Sequence, residues 1–186
     1  MGLPHEAPAQ VARLYAMVHG GRMAGRPDAL ASSVHDAHDI DAPSDPIVSR
    51  IFRYWDSKRG PRRMPSRADI DPIELRRHVN NVILYDVIEV GRLYRIRLVG
   101  SAIVEFYGVN ATGEWAGSHM PPEAAAQMIE ILTGVVIGKA PCFRAGRAHW
   151  HKDKSYRTFE ACFLPLSPDD EQVDKIFGAI AFDITT

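Results

Sequence analysis

Between Leu93 and Gly108 the hydrophobic period changes with no loop in between. Tyr94, Ile96 and Leu98 alternate with Arg95 and Arg97, the period of two expected of a strand with one face on a core and the other in water. After Gly100, Ile103, Phe106 and Tyr107 recur at helical spacing until Gly108, with Ser101 as the expected N-cap. A strand therefore runs straight into a short helix. The unit supplies an apolar wall with two aromatic rings, and no nucleophile, metal set or phosphate loop. Its chemistry is that of enclosure.

The neighbouring segments complete a recognisable layout. Residues 82–88 read as a strand, Gly91 as a tight turn, and residues 93–99 as its hairpin partner. Pro121-Pro122-Glu123 opens a helix carrying Met128, Ile129, Ile131, Leu132 and Val135, which Gly138 ends. Three strands are expected over residues 141–150, 155–166 and 173–184, separated by Lys152-Asp153-Lys154 and by Ser167-Pro168-Asp169-Asp170. Upstream, Ser44 or Asp45 caps a helix over residues 45–58, with Pro46 in its first turn. Ile47, Val48, Ile51, Phe52 and Trp55 form its apolar stripe, and Lys58-Arg59-Gly60-Pro61 its end. Asp71, Pro72 and Glu74 predict one more short helix. The sum is an α+β fold: a five-stranded antiparallel sheet with helices on one face, preceded by an amphipathic helix.

Residues 1–43, poor in large apolar side chains and rich in Ala, Gly, Asp, His and Pro, read as a flexible extension, and residues 44–186 as the folded domain. The cluster His35, Asp36, His38, Asp39 and Asp41 falls in that extension and reads as a solvated tail. A net charge of -1 argues against bulk binding to nucleic acid. The basic residues Arg50, Arg53, Lys58, Arg59, Arg62, Arg63 and Arg67 read as a solvated helix face and loop. Cys142 and Cys162 lie in apolar contexts that suit reduced thiols, and no run is long and apolar enough to span a membrane. A cytoplasmic protein without membrane insertion is expected.

Tyr94, Ile96, Leu98, Phe106, Tyr107, Trp115, Met128 and Leu132 are the candidate lining of a small-molecule cavity between sheet and helices. Plain core packing explains the same residues. His149 and His151 share one side of a strand but have no third ligand nearby in sequence. His78 with Asp86, or His119 with Glu123, would be the acid/base pair of the alternative function, a small hydrolase or isomerase.

Tyr54-Trp55, then the run from Arg62-Arg63-Met64-Pro65-Ser66-Arg67 through Ala68-Asp69-Ile70-Asp71-Pro72, then Asp86-Val87 and Tyr94 to Ser101, stand in an order that resembles a family of stand-alone bacterial PAS-domain proteins, typical of alphaproteobacteria. Phe159-Glu160, Leu164-Pro165-Leu166-Ser167 and Gly178-Ala179 are similar to its C-terminal signature. The resemblance implies a sensory or scaffolding role rather than catalysis and carries over neither ligand nor pathway; the function expected of the chain is to bind a small molecule or a protein, with output through a separate signalling protein. The resemblance assigns no cofactor. The long helix has no histidine for haem, and both cysteines read as strand residues rather than helical flavin adduct sites. The stripe Ile47, Ile51, Phe52 and Trp55 is the expected interface of a homodimer, docked on its own sheet or a neighbour's, with Phe159, Ala161 and Phe163, alternating with Glu160, Cys162 and Leu164, as the candidate docking surface.

Overall fold

The computed structural model describes residues 37–147 and 157–183. Its strands are β1 His38–Asp39, β2 Val82–Glu89, β3 Leu93–Val99, β4 Cys142–Arg147, β5 Thr158–Leu166 and β6 Lys175–Phe182. They form one antiparallel sheet in the order β1-β4-β5-β6-β2-β3. Its helices are α1 Pro46–Arg59, α2 Ser101–Tyr107 and α3 Pro122–Gly138. The α+β class expected from the periodicity is the class observed, with six strands in place of five. The additional strand, β1, lies inside the stretch read as an extension. Nothing in its composition signals a strand. Its pairing comes from the open edge of β4, where the Ile40 N–H donates to the Phe143 carbonyl at 3.1 Å.

Residues directly paired across antiparallel strands point to the same side, so the register sorts the sheet into two faces. Phe159 pairs with Phe182, Ala161 with Ile180 and Phe163 with Gly178, and these make the inner face beneath α2 and α3. Glu160, Cys162, Leu164 and Leu166 point the other way, and α1 lies on that side. There the Phe52 ring meets Phe143 edge-on at 4.9 Å, and the Trp55 Nε1–H donates to the Pro165 carbonyl at 2.9 Å. Helices on one face thus describes α2 and α3, while α1 takes the opposite face.

Helix α1 forms as its sequence dictates. Asp45 is the N-cap, accepting from the Ile47 and Val48 amides at 2.8 and 3.1 Å, and Val48, Ile51 and Trp55 are buried. The linker after it is pinned by carboxylates. Asp170 Oδ1 accepts from the Arg63 and Met64 amides at 2.9 and 3.0 Å, and Asp69 accepts from Ser66 and Arg62. The short helix expected after Asp71 is a series of turns instead. Asp71 does accept from the Ile73 amide at 2.8 Å, but of the two large apolar residues Leu75 alone is buried and Ile73 is 72% exposed. So little burial does not offset helix nucleation.

Two local features of the strand–helix unit differ from its sequence reading. Leu84 pairs with Leu98 but Tyr85 with Ile96, so Arg97 is an extra residue in β3. Such a bulge shifts the alternation of side chains, and Leu98 leaves the face shared by Tyr94 and Ile96 to stand 39% exposed. Gly100, not Ser101, is the N-cap of α2. Its backbone lies so close to residues 79–80 that a Cβ would sit 2.2 Å from the Asn80 carbonyl oxygen. Gly100→Ala must push backbone against backbone. We expect a destabilisation of about 1–3 kcal/mol, seen as a lower urea midpoint with an unchanged slope; an unaltered midpoint would show that the approach is not tight.

Candidate functional site

The buried side of α3 does not fill the space above the inner face completely. Ala124, Met128 and Ile131 look across at Phe159, Ala161, Phe163 and Ile180, and a cavity of about 50 Å³ remains, completed by Ala37, Tyr107, Met120, Gln127 and Arg144. Its wall is overwhelmingly apolar. A second hollow of about 350 Å³ lies beside it, with Asp39, Glu130, Pro141 and Cys142 among its walls. Gln127, Ile131 and Arg144 line both, so the two spaces adjoin at these three residues.

Arg144 reaches this position because its strand partner Ala161 faces inward. Its side chain is 12% exposed. Nη1 contacts Asp39 Oδ1 at 2.8 Å and Nη2 donates to the Ala37 carbonyl at 2.8 Å. The Asp39 side chain is 77% exposed, so this pair is held at the rim of the protein. The Cys142 thiol in the same wall is pushed up, by burial first and by the Asp39 charge second, with Arg144 opposing. It is therefore protonated at neutral pH and is no nucleophile there.

Of the residues expected to line a cavity, Tyr107 and Met128 do so. Tyr94, Ile96, Phe106 and Leu132 are buried in the core outside its wall. Tyr94 is a tether between hairpin and helix. The Thr133 hydroxyl donates to the Ile129 carbonyl, so the Tyr94 hydroxyl donates to Thr133 Oγ1 at 2.9 Å while accepting from the Gly91 amide. The Phe106 ring stacks on Phe182 with centroids 3.7 Å apart. Trp115, half-buried, bridges to Arg95 along the edge of β3, and the bulge has turned Leu98 out to solvent. Of the lining that the sequence does not single out, Ala124, Gln127 and Ile131 come from α3, and Phe159, Ala161 and Phe163 from β5, whose period of two reads in the sequence as a docking surface for the N-terminal helix.

That docking surface is the other face of the same strand. Glu160, 1% exposed, accepts from the Ser44 amide at 2.8 Å, the Ser44 hydroxyl at 2.6 Å and the Asp45 amide at 2.9 Å, just ahead of α1. Ile51 and Trp55 are buried against the chain's own sheet, and Phe52 and Ile47 are partly buried. With α1 docked, Ile51 and Trp55 are not available to a second chain.

The acid/base pairs lie elsewhere. Asp86 is paired with Lys175 and Arg97 at 3.2 and 3.3 Å, and neither His78 nor His119 lines either hollow. His149 and His151 fall outside the described residues. Among the described residues no group of His, Cys, Asp and Glu is placed to hold a metal ion, and no helix is long and apolar enough to cross a membrane.

Comparison with known proteins bears on this geometry. A family profile described as "PAS domain" matches residues 44–181. Among solved structures, the chain is similar to the PAS domain of Bordetella pertussis BvgS, at 22% identity, a TM-score of 0.48, and coverage of 63% of this chain and 89% of that one. No curated protein matches significantly.

Burial raises the Cys162 thiol on the outer face from 9.0 up to about 12, and burial likewise raises Tyr85. Once the pH passes about 9, the unfolded chain therefore releases protons that the native state retains. This contribution to stability is complete below that pH and is lost as the pH rises toward the folded value. Unfolding free energy from denaturant melts should fall between about pH 8.5 and 10, and Cys162→Ala should flatten the fall. An equal slope in the variant would mean that the thiol is not protected by the fold.

Proposed function

Because the chain belongs to the PAS-domain family, we propose that it is a sensory and signalling module without catalytic chemistry of its own. It binds a small molecule beneath α3 and reports through α1 to another protein. The observation that supports this most directly is the two-sidedness of β5. Ala161 and Phe163 line the cavity, while on the same strand the opposite-facing Glu160 carboxylate holds the Ser44–Asp45 entry to α1 and the backbone carbonyl of Pro165 accepts from the Trp55 indole. A ligand that displaces the inner side chains moves the strand to which α1 is attached. The free energy available for releasing α1 is limited to the ligand's differential affinity for the docked and undocked arrangements.

A homodimer through the stripe of Ile51 and Trp55 fits this scheme only with α1 undocked, when the stripe would be in water and in need of a partner. The two unpaired thiols suit a reducing, cytoplasmic setting. The hydrolase or isomerase alternative has no observation in its favour, since its histidines stand away from both hollows.

Glu160→Ala removes the acceptor for three donors. It should cost about 1–3 kcal/mol and loosen α1 before the sheet, so that acrylamide quenches Trp55 more readily at denaturant concentrations where far-UV ellipticity is still native. Equal shielding of Trp55 in the two proteins would overturn the role of α1 as the releasable element. Mass spectrometry of small molecules extracted from natively purified protein tests the binding half of the proposal. A stoichiometric organic molecule supports it, and a lack of any molecule that binds on re-addition counts against it.

A further inference from the structure

The apolar cavity and the polar hollow meet at Arg144, and we propose that together they take a zwitterionic α-amino acid with an apolar side chain. This rests on the sensory function proposed above and names the class of ligand for it. The inner space, walled by Met128, Ile131, Phe163 and Ile180, accepts a few carbon atoms, and the polar side chains in its wall are those of Tyr107, Gln127 and Arg144. The outer space is roomy enough at about 350 Å³ for the backbone atoms of an amino acid, and its charged groups are Arg144, Asp39 and Glu130. One positive and two negative groups set the selection. A simple carboxylate would pair with Arg144 but face both acids, and a simple amine would face the guanidinium. A zwitterion answers both signs at once.

The present partner of Arg144 shows how the carboxylate would be held. Asp39 Oδ1 sits 2.8 Å from Nη1, a stand-in for a ligand carboxylate on a guanidinium suited to bidentate contact. Asp39 is mostly exposed, so its ion pair is weak and exchange for a ligand carboxylate costs little. The displaced Asp39, with Glu130, then faces the ammonium group. Asp39 belongs to the two-residue strand β1, which leads directly into the Ser44 anchor of α1. Exchange at Arg144 thus loosens the edge strand from which α1 departs.

Calorimetric titration of the full chain with L-leucine, 4-methylpentanoate, 3-methylbutylamine and 3-methylbutan-1-ol separates the contributions, since the four share an aliphatic body and differ in charge. Leucine should bind at least about tenfold more tightly than either singly charged analogue. Arg144→Gln should lose about that factor for leucine and keep its affinity for the alcohol. Glu130→Gln, at an exposed position on α3 where folding is not at stake, should narrow the gap between leucine and 4-methylpentanoate. Hydrogen exchange at the Ile40 amide should quicken when leucine is added. Leucine binding no better than the amine or the carboxylate, or binding unchanged in Arg144→Gln, would overturn the ligand class. If the alcohol alone binds, the amino-acid proposal fails while a ligand site beneath α3 stands. If none of the four binds, the amino-acid proposal fails, and the sensory function is judged by the extraction experiment.

Discussion

Strand β5 is buried on both sides, and the rest of the structure follows from the need to cover it. Antiparallel sheets commonly keep one face wet. Here every residue from Phe159 to Leu166 is buried. Left bare, the row of Cys162, Leu164 and Leu166 would be an exposed apolar patch, and so would the row of Ala161 and Phe163. Helix α1 closes one face and α3 the other. The dependence is mutual, because a helix of 14 residues such as α1 is near the length at which isolated helices are marginal in water.

Apolar contact is non-directional and would let α1 slide on the sheet. Polar bonds set its position. Glu160 holds the chain entering the helix, the Trp55 indole donates to Pro165 near its other end, and Asp170 catches the linker at Arg63 and Met64. A carboxylate as buried as Glu160 is tolerable only because three donors surround it. These bonds act at the ends of α1 and its linker, so the helix is attached as a unit, with its apolar stripe in between.

The inner cavity is small because Phe163, Met128 and Ile131 already occupy most of the space that the sheet and α3 define. A ligand of the proposed kind would therefore have to move its walls. The two methionines at its border, Met120 and Met128, are unbranched side chains that repack readily. A tightly packed strand transmits displacement where a loose one would absorb it. Strand β5 has the cavity on one side and α1 on the other.

Much of this was legible in the sequence because periodicity is local. The stripe of α1 with its Asp45 cap, the β2–β3 hairpin around Gly91, the switch into α2, the body of α3 and the alternation of Phe159, Ala161 and Phe163 all depend on neighbours within a few residues. They suffice for the α+β class. Register, pairing and lining were decided by the tertiary structure, since each depends on segments far apart in the chain. The bulge at Arg97 arises from pairing with β2 and turns Leu98 away from Tyr94 and Ile96. Strand β1 exists because β4 offers it an edge. Arg144 meets Asp39 across most of the chain, and no pattern in either segment announces the other. A sequence states which residues seek burial and at what spacing; which of them end beside a cavity is settled by competition among long-range contacts for the same faces of the sheet.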